Sequence, residues 1–282
     1  MFPDTPISGA GLGLRRAHLG PLLDQIPVTI DFMELAPENW IGAGGRLGHA
    51  LESISARIPM VSHGLLGNLG GTDPLDTEFL DKTAKFLSQY NVRLYGDHLT
   101  YCGDEGLLYE LLPMPYTLAA AAHMADRIKR VQDHLGQRIT VENASYYCTP
   151  LQTIPEIEFI NQVVEQSDCL LLLDINNVYV NSTNHDYDSL EFLRNIPGDR
   201  IAYAHIAGHL QAEPDLIIDT HGADIIGPVW DLLAAAYELF GVFPTLLERD
   251  ENIPDLDVVL LEVDKIRSLQ ERYSGEVRQA NI

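Results

Sequence analysis

Histidines and carboxylates recur along this chain at the far ends of apolar runs. The densest case is AHIAGHLQAEPDLIIDTHG (204–222), which carries His205, His209, Asp215, Asp219 and His221. Other runs end alike: MVSHGLL holds His63, YGDHLTY holds His98, and ITVENAS holds Glu142 and Asn143. LLLLDINN brings Asp174, Asn176 and Asn177, LLERD brings Glu248, and MELAPENW brings Glu34 and Glu38. A carboxylate or imidazole in such a run leaves water on folding and needs a hydrogen-bonding partner or a cation. A single histidine there usually reads as a hydrogen-bonded core residue. Three of them converging with Glu142, Asp174 and Glu248 read otherwise, because Arg249 is the one basic residue found within the late-strand segments. Metal is the better partner.

The ligand set read from these runs is His63, His98, Glu142, Asp174, Asn177, His205, Asp219, His221 and Glu248. A single ion takes about three to six ligands, so this set suits two or three ions with positions left open for substrate or oxygen. Imidazole and carboxylate without thiolate favour iron, manganese or zinc. Asp219 and His221 are alternate residues, and extended backbone there would project both side chains to one side. For His209 the spacing leaves open whether it points in or out.

Something must hold these groups at one rim. The apolar runs fall at 9–15, 31–37, 59–66, 92–101, 138–145, 169–180, 200–208 and 244–250, and they read as strands. Between them lie helical patterns. DTEFLDKTAKFLSQY (76–90) offers Asp76 as N-cap, PYTLAAAAHMADRIKRVQDHL (115–135) opens with proline, and GPVWDLLAAAYELFG (227–241) has proline near its start and glycine past its end. Eight strands alternating with helices predict an α/β fold, a (β/α)8 TIM barrel, as a single domain over 1–282 with its core at about 8–270. A doubly wound open sheet is the alternative. In a barrel, active-site residues come from the carboxyl ends of several strands, which is the pattern seen here.

Composition narrows the partners. Lys and Arg number 18 against 41 Asp and Glu, a net charge of −23, so phosphate backbones and anionic lipid are repelled and neither nucleic acid nor membrane is expected. The three cysteines form neither a CxxC pair nor a disulfide framework, and no signal peptide or membrane-length run is evident, which makes the cytoplasm the expected location. Cys102 and Cys148 follow His98 and Glu142 closely and read as small apolar filler near the mouth; Cys169 reads as core. The glycines of GAGLGL lack the third position of a dinucleotide fingerprint, and GLLGNLGG reads as a loop passing close to the site.

The motifs MELAPENW, SHGLLGNLGG, GDHLTY, VENAS, DINNVYVN, AHIAGH, DTHG and LLERD, over residues 8 to 270, closely resemble the multinuclear non-heme iron-dependent oxidative enzymes. That family, formerly a domain of unknown function, includes the iron enzyme of methanobactin biosynthesis and enzymes that modify cysteines of ribosomally made peptides. The resemblance implies two or three iron ions (Fe2+/Fe3+), oxygen as co-substrate, a cysteine-containing precursor peptide as substrate and a small partner protein that helps present the peptide's leader. By motif it implies His63 and His98 as ligands with Glu142 bridging or terminal. It further implies Asp174, His205 and Glu248 at a second position, with Asn177, Asp219 and His221 at a third.

Two other readings remain. A zinc or manganese TIM barrel of the sugar isomerase or endonuclease type would also gather His, Glu and Asp at strand ends, but a basic groove is absent from the charge pattern and no lysine stands at the strand ends. A metal-binding protein without turnover is the third.

Overall fold

The computed structural model describes residues 6–103 and 106–280. Eight parallel strands close into a barrel: β1 (Ala10–Gly13), β2 (Phe32–Leu35), β3 (Met60–His63), β4 (Tyr95–His98), β5 (Thr140–Glu142), β6 (Leu170–Asp174), β7 (Ile201–Ile206) and β8 (Thr245–Leu247), with β8 pairing back onto β1. The described helices follow their strands in turn: α1 (Leu19–Asp24), α2 (Gly45–Ser55), α3 (Thr77–Gln89), α4 (Leu118–Leu135), α5 (Glu156–Ser167), α6 (Ile175–Asn184), α7 (Ser189–Arg194), α8 (Gly227–Phe240) and α9 (Leu256–Ala280). This is the (β/α)8 order expected from the alternation of runs. No helix among the described residues is long and apolar enough to cross a membrane.

The helix boundaries follow capping chemistry. Asp76 accepts from the Phe79 amide at 2.9 Å to start α3, as its position in the sequence suggests. Thr117, rather than Pro115, starts α4 by accepting from the Ala120 amide at 3.1 Å. Gly241 closes α8 with φ of 85°. Two expected strands were too long. Residues 169–180 divide after Asp174, whose carboxylate accepts from the Asn177 amide at 2.6 Å and turns INNVYV into the start of α6. The run 92–101 ends as a barrel strand at His98, and Thr100 begins a hairpin that pairs Thr100–Gly103 with Leu107–Pro113.

A second hairpin, Leu210–Glu213 with Leu216–Ile218, follows β7. One asparagine side chain clamps each of them. Asn68 donates to Gly103 O at 3.1 Å and accepts from the Cys102 amide at 2.8 Å. Asn184 donates to Ile217 O and accepts from the Ile217 amide, both at 2.9 Å. Each amide thus imitates the backbone of a third strand.

Side chains alternate across each strand, and this period sets the height of the polar rim. Phe32, Val61, Leu172, Tyr203 and Leu246 belong to the buried cluster filling the barrel interior. Two residues beyond each of them stand Glu34, His63, Asp174, His205 and Glu248. An apolar plug therefore underlies a polar layer. The loop after β7 is held by close backbone approach: a Cβ on Gly208 would lie 2.0 Å from Ala223 O. Gly208→Ala is expected to destabilise the protein by about 1–3 kcal/mol through overpacking. Gly227→Ala, where nothing lies within 4 Å, should change little. Denaturant midpoints of the two variants compare these directly, and equal midpoints would refute the packing argument.

Candidate metal centre

Strands β3, β4, β5 and β6 end on His63, His98, Glu142 and Asp174, and register sets His98 beside Glu142 and Asp174 beside His205. All five are buried. His63 Nε2 lies 2.5 Å and His98 Nε2 3.2 Å from Glu142 Oε2. His205 presents Nδ1 to Glu248 Oε2 at 2.8 Å and Nε2 to Glu34 Oε1 at 3.0 Å. His221 reaches Glu248 Oε2 at 3.3 Å through Nδ1 and Asp219 Oδ1 at 2.7 Å through Nε2.

Four overlapping triads have donor atoms within 4.8 Å of one another: His63–His98–Glu142, Glu34–His205–Glu248, Glu142–Asp174–His205 and Asp174–His221–Glu248. Opposed ligands of one ion stand about 4.2 Å apart at metal–ligand distances near 2.1 Å, so each triad can enclose a cation. Glu142, Asp174, His205 and Glu248 each belong to two triads. That sharing suits neighbouring ions.

The unsatisfied atoms test this fit. Glu142 Oε2, Asp174 Oδ2, Asn177 Oδ1, His205 Nδ1 and His221 Nε2 are buried with no well-aligned hydrogen bond, although several lie within ion-pair distance of one another. Unpaired buried polar atoms are costly, and lone pairs converging without hydrogens between them are what a cation satisfies. Electrostatics agree. Burial opposes charge on His98, yet Glu142 and Asp97 push it up to about 9. Against the same burial, Glu34 and Glu248 hold His205 well above the ordinary imidazole range, and Asp219 and Glu248 do so for His221. Burial and Glu142 together raise Asp174 to about 8. The pocket seeks positive charge.

Surrounding groups fix the orientation. His98 Nδ1 donates to Gly64 O at 3.1 Å, which turns Nε2 toward Glu142 and, once a cation displaces the proton there, presents its lone pair to the ion. The Asp97 carboxylate accepts from the His98 amide at 2.8 Å, the Tyr95 hydroxyl at 2.8 Å and the Gly67 amide at 2.9 Å, tying the loop after β3 to β4. Tyr203 donates to Glu34 Oε2 at 2.6 Å, and Asn177 donates to Glu142 Oε1 at 3.1 Å.

Measured against the nine residues read from sequence, seven stand in the triads: His63, His98, Glu142, Asp174, His205, His221 and Glu248. Asn177 adjoins Glu142. Asp219 stands one step out, its Oδ2 accepting from Ser145 at 2.8 Å and its Oδ1 from Asn176 at 2.8 Å. His221 meets Asp174 and Glu248 in one triad and also contacts Asp219. Asp219 and His221 also converge through a turn, with His221 at φ of 48°, and not through extended backbone. Glu34 lies outside the nine and joins a triad; it stands two residues beyond the inward-facing Phe32, and that period is its signal in the sequence. Arg249 turns away to Asp224 and Glu262, while Arg15, just past β1, approaches Glu248 at 3.7 Å. His209 is buried beside the centre, 2.7 Å from Asn176 Oδ1 and stacked on Tyr179. Cys102 and Cys169 are buried, whereas Cys148 is exposed.

Comparison with known proteins adds sequence and fold relatives. A family model described as RiPP precursor modification enzyme MbnB/TglH/ChrH matches residues 9–271. A UPF0276 protein of Alcanivorax borkumensis is 51% identical over 97% of this chain and 95% of its own length. Another, of Acinetobacter baylyi, is 49% identical over 99% and 96%. Among solved structures, a D-psicose 3-epimerase from Clostridium cellulolyticum aligns with a TM-score of 0.59 at 12% identity, covering 97% of this chain and 99% of that one. Endonuclease IV from Thermus thermophilus aligns with a TM-score of 0.57 at 16% identity, covering 94% and 99%. At such identities the structural likeness concerns the fold.

Proposed function

The chain belongs to the MbnB/TglH/ChrH family of RiPP precursor modification enzymes, and from that premise we propose that it oxidatively modifies a cysteine of a ribosomally made peptide, using iron and oxygen. The observation that carries this reading is the chain of overlapping triads with unsatisfied donors at the barrel mouth. Imidazole and carboxylate without a protein thiolate suit iron, and the substrate's sulfur would be the one thiolate present.

His63, His98 and Glu142 would hold one ion, and Asp174, His205 and Glu248, joined by Glu34, a second. His221 would serve a third position between Asp174 and Glu248, with Asp219 orienting its ring and Asn177 bracing Glu142. Bound iron would supply affinity for a thiolate and for oxygen together and would relay electrons from the substrate cysteine, which is oxidised, to oxygen, which is reduced. The protein's own part is orientation and exclusion of water. Asn177 and Tyr203 fix two carboxylates, Gly64 fixes a tautomer, and the plug of Phe32, Leu172 and Leu246 closes the barrel from beneath. A small leader-presenting partner protein and a cytoplasmic location complete the reading; neither nucleic acid nor a membrane enters it.

The deciding test combines ferrous iron, oxygen, the precursor peptide and its partner protein, and reads the peptide by mass spectrometry. We expect a mass change confined to cysteine and none in a Cys-to-Ser peptide. An unchanged mass under these conditions would overturn the reading in favour of isomerase or hydrolase chemistry. Protein purified without oxygen should carry two or more irons per chain; stoichiometric zinc that iron cannot replace in turnover would remove the iron assignment.

A further inference from the structure

Beside the metal centre a cleft of about 670 Å³ opens between the loop after β5, the start of α5 and α7. The two sites share a wall. Tyr147, which lines the cleft, accepts from the Asp219 amide through its hydroxyl at 3.0 Å, and Ser145 donates to the Asp219 carboxylate at 2.8 Å. Asp219 in turn contacts His221.

The cleft contains a buried carboxylate with no cationic partner. Glu156 is 6% exposed, lines the cleft, and accepts from Asn181 Nδ2 and the Tyr187 hydroxyl, each at 3.2 Å. Among the described residues it forms no ion pair, and neither lysine nor arginine lines the cleft. His185 is committed elsewhere, donating from Nε2 to Tyr146 O at 2.9 Å. Burial raises the Glu156 carboxyl to about 7, against the hydrogen bonds of Tyr187, Asn181 and Tyr146. A carboxylate so placed gains most from an incoming cation. Aromatic and apolar walls are provided by Tyr146, stacked on His185 with ring centroids 4.0 Å apart, and by Tyr187, stacked on Phe192. A long basic side chain matches both features, its stem lying on the walls and its head meeting the floor. Glu191 at the lip adds charge of the same sign.

We propose that this cleft seats a lysine or arginine side chain of the peptide substrate, held beside the cysteine at the barrel mouth. This rests on the reading of the substrate as a peptide. The cleft then selects among peptides by a basic residue at a fixed distance from the cysteine, a task separate from the metal chemistry.

The test is fluorescence anisotropy with a fluorescein-labelled heptapeptide alternating glycine and arginine, against its counterpart with glutamine for arginine, on the full chain without turnover. Binding of the arginine peptide should weaken by about tenfold or more in Glu156→Gln, as loss of a buried charge partner implies. It should also weaken in Thr149→Arg, which brings the chain's own guanidinium to the cleft and covers the case in which the first variant fails to fold. Glu165→Gln, an exposed position on α5 with the same change in net charge, should bind as wild type. Binding unchanged in both cleft variants overturns the proposal, as does equal weakening in Glu165→Gln, which would make general acidity the cause. Failure here with cysteine modification intact removes the cleft alone. Binding as expected with cysteine mass unchanged removes the oxidative chemistry alone.

Discussion

Replacing His98 by alanine or Asp174 by asparagine will release metal and stop peptide modification while the barrel stays folded. His98 closes the His63–His98–Glu142 triad, and Asp174 belongs to two triads, one with Glu142 and His205 and one with His221 and Glu248. Changes to groups that merely orient a ligand cost about 10–100-fold in metal affinity or activity, so removing a ligand should cost at least the upper end. The choice of asparagine at 174 separates two roles of one side chain. Asp174 Oδ1 caps α6 through the Asn177 amide, and asparagine caps about as well as aspartate, whereas alanine would forfeit about 1 kcal/mol and loosen Asn177 from Glu142. Elemental analysis and thermal melts of the two variants check this. Full metal content with full turnover in either one would strike that residue from the ligand set.

Stripping the metals with a chelator should make stability depend strongly on alkalinity. Without a cation, protons are the remaining source of positive charge in the centre. His98, lifted from 6.5 to about 9 by Glu142 and Asp97 against its burial, contributes stability that is complete below pH 6.5 and disappears as pH rises through 9. Asp174, raised from 3.8 to about 8 by burial and Glu142, likewise contributes stability that is complete below pH 3.8 and is lost as pH rises through 8, so the two losses overlap between 6.5 and 8. Glu142 runs the other way. Burial notwithstanding, His63 and His98 lower it to about 2, so its contribution is lost only on acidification from 4.5 toward 2. Between pH 6.5 and 9 the stripped protein should lose a few kcal/mol, at about 1.4 kcal/mol per pKa unit. That corresponds to a fall of roughly ten degrees in Tm for a chain of this size. Metal-loaded protein should hold its Tm there, since fewer protons compete with the ions. Parallel melting curves for the two forms across this range would refute the assignment of the centre as a cation site.

Much of this centre was legible in the sequence, and the omissions have physical causes. Runs such as PMVSH and RIAYAH announce an inward-facing polar group because the strand is otherwise apolar. Glu34 lies in such a run, yet MELAPENW also contains Glu38, and the choice between them needed the inward position of Phe32 to set the phase. Asn176 and Asn177 read as extended from the sequence because Val178, Tyr179 and Val180 favour strands. The Asp174 cap overrides that preference, and it is visible only as an aspartate three residues before the amide it accepts. The His221 turn depends on a positive φ taken by the histidine itself, with the adjacent Gly222 as its local sign. The approach of Arg15 to Glu248 joins the first strand to the last, a pairing that barrel closure creates and local sequence does not contain.

The two hairpins carry a different consequence. Each rises from the mouth beside a strand that supplies a histidine, and each is secured at its edge by the amide of one asparagine, Asn68 or Asn184. Neither contributes a residue to the triads. Over evolutionary time such appendages can be lengthened, shortened or exchanged while the inherited ion cradle stays intact, as long as the asparagine keeps its grip. The architecture leaves the outline of the mouth free to change at the hairpins while the four triads beneath keep their geometry.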